Sequence, residues 1–386
     1  MVTHMIAMKS AALGLVLAST GLASTGLAAS NAAAAPHQTS TPAAVASADA
    51  IINRYIAAIG GQKNLDAIQS MIIRGTYTEN GQSGSGVLAR MRPFYKLVGD
   101  PLKRSTEFEE GYDGSAWEFY GDPGIVLRTA GPASAAARHG LYILGNLVDY
   151  KRQGSSVTLK GVAKIDGRDA YQLRVRMLDG FEQDEFIDAK SWLVIADRKV
   201  AKVHAFGVDV PSETRWSDYR TVNGVLLAFL NVEVEIASGK ELNRFQTDRI
   251  DVNLILSPSQ FMPPRLERTP VQVLMDQIFQ EREDADAVRW TYHDFRNAYS
   301  DTDTEAAMEI IGYQMLKMGD PSAATALLED NRRDYPDSAA AHFGLARAYR
   351  SAGRLGEARA EFERTLALEP KHQRAQTALA EMAPAR

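Results

Sequence analysis

The chain has 386 residues, 45% of them hydrophobic and 24% charged, the balance of a soluble globular protein long enough for two domains. Its formal net charge is −5 and no basic block occurs, so the electrostatic footprint of a nucleic-acid binder is missing. Cysteine is absent, which excludes disulfides, thiolate metal sites, cysteine nucleophiles and a lipidated N-terminal cysteine.

Lys9, an apolar run from Ala11 to about Ala29, and Ala32 to Ala35 ahead of Pro36 form the three-part layout of a secretory signal peptide. Gly14, Ser19, Gly21 and Ser24 interrupt the run, which suits cleavage near Ala33 or Ala35 better than membrane spanning. Removing residues 1–35 takes away Lys9 and no acid, so −5 becomes −6 and an acidic periplasmic protein is expected. Residues 36–47 are rich in Ser, Thr, Ala and Pro and read as a flexible linker.

Residues 48–264 read as a β domain. Ile51, Ile52, Tyr55, Ile56 and Ile59 stand at helical spacing ahead of Gly60-Gly61, a C-terminal stop. A short helix near Lys63 to Ile68 follows. At Met71, Ile73, Gly75 and Tyr77 the period changes from 3.6 to two, and a sheet begins. Gly81-Gln82-Ser83-Gly84-Ser85-Gly86 lacks the spacing of a nucleotide loop and reads as a hairpin tip. Val87, Ala89, Met91, Tyr95 and Leu97 continue the alternation, then Trp117 and Phe119. Pro132 to Leu144 turns helical and Ala-rich, a lid over the sheet. From Val157 to Ile187 every second residue is apolar, with Asp166-Gly167 and Asp179-Gly180 supplying tight turns. Val225 to Ile236 and Phe245 to Ile255 complete about ten strands in an up-and-down antiparallel meander.

Residues 265–304 read as two helices that connect to the tail and cap it, carrying Leu274, Ile278, Trp290, Tyr292 and Phe295. The tail, 305–386, repeats at an offset of 34: Gly319 faces Gly353, Ala324 faces Ala358, Leu328 faces Phe362, and Pro336 faces Pro370. Small residues let paired helices approach, and proline ends the second helix. This resembles the tetratricopeptide repeat, with two full repeats and the first helix of a third.

Residues 48–264 resemble the LolA-like family of periplasmic lipoprotein carriers. The likeness rests on Ala58-Ile59-Gly60-Gly61, on Tyr112-Asp113-Gly114-Ser115-Ala116-Trp117, on Val162 to Leu173 with its Asp166-Gly167-Arg168 turn, on Leu178-Asp179-Gly180 and on Ile187-Asp188. It implies an α+β fold: a half-open antiparallel β-barrel covered by helices around an apolar cavity for acyl chains, here followed by an all-α repeat domain.

A buried methylene contributes ~0.8 kcal/mol, so an acyl chain needs a long dry cavity. Its expected lining is Met91, Tyr95, Trp117, Phe119, Leu173, Val175, Met177, Val232 and Val234, though each of these also suits plain core packing. On the repeats, Glu309, Tyr313, Lys317, Phe343, Arg347 and Arg350 would form a mixed aromatic and basic groove for an acidic or C-terminal peptide, or else a solvated structural face. The seven histidines show no metal-ligand spacing, no Gly-x-Ser-x-Gly elbow occurs, and the Asp-Gly pairs stand at turns. No catalytic residue, metal or cofactor is expected. The leading expectation is a periplasmic lipid or lipoprotein acyl-chain carrier whose tail docks a protein partner, with transient membrane contact. A scaffold of protein-interaction domains without lipid is the alternative, and an envelope hydrolase a third.

Overall fold

The computed structural model describes residues 47–79, 82–101, 108–139, 141–200, 211–236, 238–266 and 268–382. The signal-peptide expectation, the linker expectation for residues 36–46 and Gly81 lie outside them.

Two helices open the fold, α1 (Ala48–Ala58) and α2 (Gln62–Asp66). The Ser47 hydroxyl accepts from the Ala50 amide and satisfies an orphan donor at the start of α1. Thirteen strands follow, where alternation in the sequence predicts about ten: β1 (Ser70–Glu79), β2 (Gln82–Met91), β3 (Phe94–Pro101), β4 (Phe108–Tyr112), β5 (Ala116–Tyr120), β6 (Ile125–Arg128), β7 (Ser156–Ile165), β8 (Arg168–Arg176), β9 (Glu182–Asp188), β10 (Val194–Lys199), β11 (Ser212–Val222), β12 (Val225–Glu235) and β13 (Glu241–Val252). The strands that the alternation does not single out are the short β4 and β6, beside turn signals, and the eleven-residue β11, whose sequence is polar at most positions. Residues 82–86, expected as a hairpin tip, are strand: Gly84 pairs with Tyr77, and Gly86 with Gly75.

All pairings are antiparallel, in the order β6-β5-β4-β3-β2-β1-β13-β12-β11-β10-β9-β8-β7, and the sheet does not close on itself. Asp166-Gly167 and Asn223-Gly224 hold positive φ at both central positions of their hairpins, the conformation for which Asp-Gly and Asn-Gly are suited.

Helix α3 (Gly131–His139) interrupts the strand series. After β13 a 3-10 turn, Pro258–Phe261, crosses to the sheet's other face, where the Phe261 carbonyl accepts from Trp117 Nε1 at 3.0 Å and its ring stacks on Phe94. Then come α4 (Pro270–Glu281), α5 (Ala285–Ala298), α6 (Glu305–Met318), α7 (Pro321–Asp334), α8 (Ala339–Ser351), α9 (Leu355–Leu368) and α10 (Gln373–Glu381). Thr269 caps α4 ahead of Pro270, and Asp284 caps α5 through two amides. No helix among the described residues is long and apolar enough to cross a membrane.

Two main cores form. The first joins α1 and residues 143–148 to one face of the sheet through Ile51, Ile52, Ile143, Leu147, Leu173, Val175 and Ile250. We call that face inner. The second holds the helical tail, and it also takes in Tyr120, Ile125 and Leu127 of β5 and β6 and Ala133 of α3. The tail therefore shares a core with the end of the sheet. The edge of β6 is closed by one side chain: Gln272 of α4 donates to the Val126 carbonyl at 2.8 Å and accepts from its amide at 2.9 Å.

Candidate functional site

The strand register decides which side chains meet. On the inner face Tyr112, Tyr95, Arg90 and Met71 stand opposite one another across β4, β3, β2 and β1. The next row is Glu110, Leu97, Leu88, Ile73 and Ile250, and the one after is Phe108, Gly99, Gly86 and Gly75.

The nine expected lining residues do not form one surface. Tyr95, Leu173, Val175 and Met177 lie on the inner face, whereas Met91, Trp117, Phe119, Val232 and Val234 lie on the outer one. The turn at Arg92-Pro93 pairs Met91 with Phe94, so odd-numbered residues change face between β2 and β3. Trp117 is buried under Phe261, and Leu173, Val175 and Met177 are filled core beneath α1. Of the nine, only Tyr95 borders the open part of the inner face.

We call this half-buried strip of the inner face a trough. Tyr77, Leu88, Leu97 and Phe245 are half-buried and stand outside all three apolar clusters. The in-register glycines Gly75, Gly86 and Gly99 make its floor. A Cβ on Gly86 would meet the Phe245 ring at 2.7 Å and one on Gly75 at 2.8 Å, so that ring fills the space where side chains are missing. The α1 core bounds the trough on one side, and Phe108, packed against the repeat core, bounds it on the other.

Polar groups line its lower end. Tyr95 donates to Glu110 at 3.1 Å, and burial pushes the Glu110 carboxyl up to about 7. Burial also lowers the Arg90 guanidinium, to about 10. Its Nη1 sits 3.5 Å from the Tyr142 and Ile143 carbonyls, and its Nε makes no hydrogen bond. Sequence reading misses Arg90 because an arginine among alternating residues reads as the wet face of a strand.

Above this lies the segment expected as a lid. A Cβ on Gly131, where α3 begins, would come within 2.4 Å of the Met318 carbonyl in α6, and His139 at its other end meets Asp179 of the β8–β9 turn at 2.9 Å. The helix is thus a strap from the repeats to the far part of the sheet. Ile143, Leu144, Leu147 and Val148 then enter the α1 core.

The repeat groove is largely filled. Glu309, Tyr313, Lys317 and Phe343 retain 6, 1, 6 and 6% exposure. Arg347 lies over the Tyr313 ring at 4.0 Å, and Phe343 packs against His372 at 4.5 Å, so α10 and the arginine occupy the space expected to be open. Arg350 remains exposed and pairs with Glu381 at 3.0 Å. Next to this face, Gln314 donates to Glu118 of β5 at 3.0 Å.

In the comparisons, residues 315–382 match the tetratricopeptide repeat family. No curated protein matches the chain in sequence. Three solved structures resemble it over the sheet-bearing part. A DUF1329 family protein from Desulfovibrio piger is 14% identical, with 55% of this chain and 96% of that one covered at a TM-score of 0.39. An outer membrane lipoprotein-sorting protein domain from Vibrio parahaemolyticus is 12% identical, with 55 and 94% covered at 0.39. A LolA superfamily protein from Nitrosomonas europaea is 9% identical, with 57 and 99% covered at 0.39. Both resemblances read in the sequence recur here, and the C-terminal part of the chain is a tetratricopeptide repeat region.

Proposed function

We propose that this chain is an exported, non-enzymatic protein of the periplasm that holds an acyl chain of a lipid or lipoprotein against the inner face of its sheet and docks a protein partner through its repeats. The observation that carries the reading is the trough of Leu88, Leu97 and Phe245, half-buried apolar side chains on the helix-covered face that belong to neither main core. Each methylene laid there would contribute ~0.8 kcal/mol. Arg90 and Glu110 stand where a polar head group would emerge, and residues 142–143, held by Arg90, would have to shift to admit a chain.

The test is lipid mass spectrometry on protein expressed in a bacterial periplasm and purified without detergent, with uptake of a fluorescent fatty acid in parallel. A stoichiometric acyl species, lost in a Leu97→Asp variant that still melts cooperatively, is expected. A lipid-free protein that takes up no fatty acid would refute the reading. It would leave the scaffold alternative, which the core shared by repeats and sheet favours; cross-linking that captures protein partners on an empty β domain is its signature.

A further inference from the structure

The helical part of the chain holds a cleft that the trough does not involve. Helices α4 and α5 form an antiparallel hairpin, and the first half of α4 faces the second half of α5 across a cleft of about 420 Å³. Residues 270, 273, 274 and 277 supply one side and 291, 294, 295 and 298 the other, in each case the spacing of a single helix face. The floor is Leu274 and Phe295, which belong to the repeat core, with Val273 and Ala298 beside them. At one end the Tyr299 ring, 46% exposed, stacks on Phe295 at 4.9 Å. Trp290, 70% exposed, stands one turn before Asp294 on α5.

The end hairpin of a repeat array ordinarily turns a polar face to water, and an apolar cleft flanked by an exposed tryptophan departs from that. The charge around it is one-sided. Residues 265–304 hold nine Asp and Glu against five Arg, which places −4 of the chain's formal −5 in this connector. Three of the five arginines turn to the next hairpin: Arg282 to Asp320, Arg289 to Glu329 and Asp330, and Arg296 to Asp334. Arg268, at the cleft itself, is matched by Asp276 at 3.0 Å. Asp294 and Glu281 make no ion pair among the described residues, and the Glu281 carboxylate accepts from the neutral Thr291 hydroxyl at 2.6 Å. The cleft is therefore apolar at its floor and net negative at its rim.

We propose that this cleft docks a basic amphipathic helix of a partner protein. Two antiparallel helices leave a groove into which the ridge of a third packs. The span from Pro270 to Gln277 is on the order of 10 Å long, two turns, which is enough for apolar anchors at i, i+3 or i+4, and i+7. Such anchors would sit over Leu274 and Phe295, with Trp290 and Tyr299 covering their flanks. A lysine or arginine on the same helix would reach Asp294, whereas an acidic helix would meet Asp294, Glu281 and Asp276 together. This docking site rests on the partner-binding half of the proposed function and not on the trough. It puts the partner on α4 and α5 rather than in the filled groove of Glu309 and Tyr313, and it reverses the charge of the peptide expected there.

Fluorescence anisotropy with the full chain tests it, using labelled peptides of one helical pattern: a Leu/Lys peptide, its Leu/Glu counterpart, and a Gln/Lys peptide that lacks the apolar stripe. The Leu/Lys peptide is expected to bind about tenfold more tightly than either of the others, with an affinity that falls as salt rises. Ala298 and Asp294 are exposed, so substitutions there leave the core alone. Ala298→Trp fills the cleft and Asp294→Lys reverses its charge; each should weaken the Leu/Lys peptide about tenfold while fatty-acid uptake stays at the parent's level. Equal binding of the Leu/Lys and Leu/Glu peptides, or binding indifferent to Ala298→Trp, overturns the site. Displacement of the peptide by a fatty acid would place it in the trough and overturn the site as well. If the cleft fails and cross-linking still captures a protein on another face of the repeats, the docking reading stands without it. If the peptide binds as expected and fatty acid does not, the cleft stands and the trough falls.

Discussion

Replacing Glu185 by Gln should change how stability depends on pH more than it changes stability at any one pH. Burial first, and the Asp197 charge second, raise the Glu185 carboxyl from 4.5 to about 8. A folded-state value above the unfolded one means that the group's contribution is fully present below pH 4.5 and is lost as pH rises through 8. Every pH decade between the unfolded and folded titrations is worth about 1.4 kcal/mol, so the loss between pH 5 and pH 9 is on the order of 3 to 5 kcal/mol. The Gln variant keeps a carbonyl for Asn146 and Gln183 and has no proton to release, so it should nearly match the parent at pH 5 and exceed it at pH 9. Urea unfolding followed by tryptophan fluorescence at pH 5, 7 and 9 measures this. Glu110, raised to about 7, loosens the parent and the variant alike, so the quantity of interest is the difference between the two curves. Parallel curves would refute the burial and charge argument.

Gly111→Ala places a Cβ 2.5 Å from the Trp117 ring and 2.8 Å from the Tyr95 carbonyl; a loss of about 2 to 3 kcal/mol is expected in thermal melts, and an unchanged melt would show that the strand can yield. Gln272→Ala leaves the Val126 amide and carbonyl on an open edge, costing about 1 to 3 kcal/mol and raising light scattering as edges pair between molecules. Gln314→Leu removes the helix-borne donor to a Glu118 that is 4% exposed and also accepts from Tyr120; limited proteolysis should then cut faster between residues 265 and 304, and an unaltered pattern would mean that apolar packing alone holds the tail.

The period-two alternation and the Asp-Gly and Asn-Gly turns make the sheet legible, and the offset of 34 does the same for the repeats. Both signals are local, so they survive without any knowledge of what packs where. Assigning side chains to a common face is not local. It depends on the Arg92-Pro93 turn, which puts Met91 and Tyr95 on opposite sides, and on protein covering both faces, so that Trp117 under Phe261 is as dry as Leu173 under α1. The inward polar side chains of β9 are hidden for a related reason. Gln183 and Glu185 alternate with Asp184 and Phe186, and a strand polar at nearly every position offers no phase to read.

The repeat tail illustrates how far a motif can be carried. Its signature positions set the helix pairs and their small-residue contacts, as Gly312 does by admitting Leu328 within 3 Å of where a Cβ would stand. They do not say what the array leans on. Here α6 gives Gln314 to Glu118 and its C-terminal carbonyl end to Gly131, while Tyr120, Ile125 and Leu127 join the repeat core. The array is thereby a wall beside the trough, and α3 ties that wall to the β8–β9 turn through His139 and Asp179. A partner that shifted α6 would pull on the strap over the inner face, so occupancy of the repeats and of the trough should be thermodynamically linked, each changing the other's affinity by the same factor. Measuring fatty-acid affinity in the parent and in Gln314→Leu tests the link: an affinity that stays constant while the tail loosens would separate the two sites.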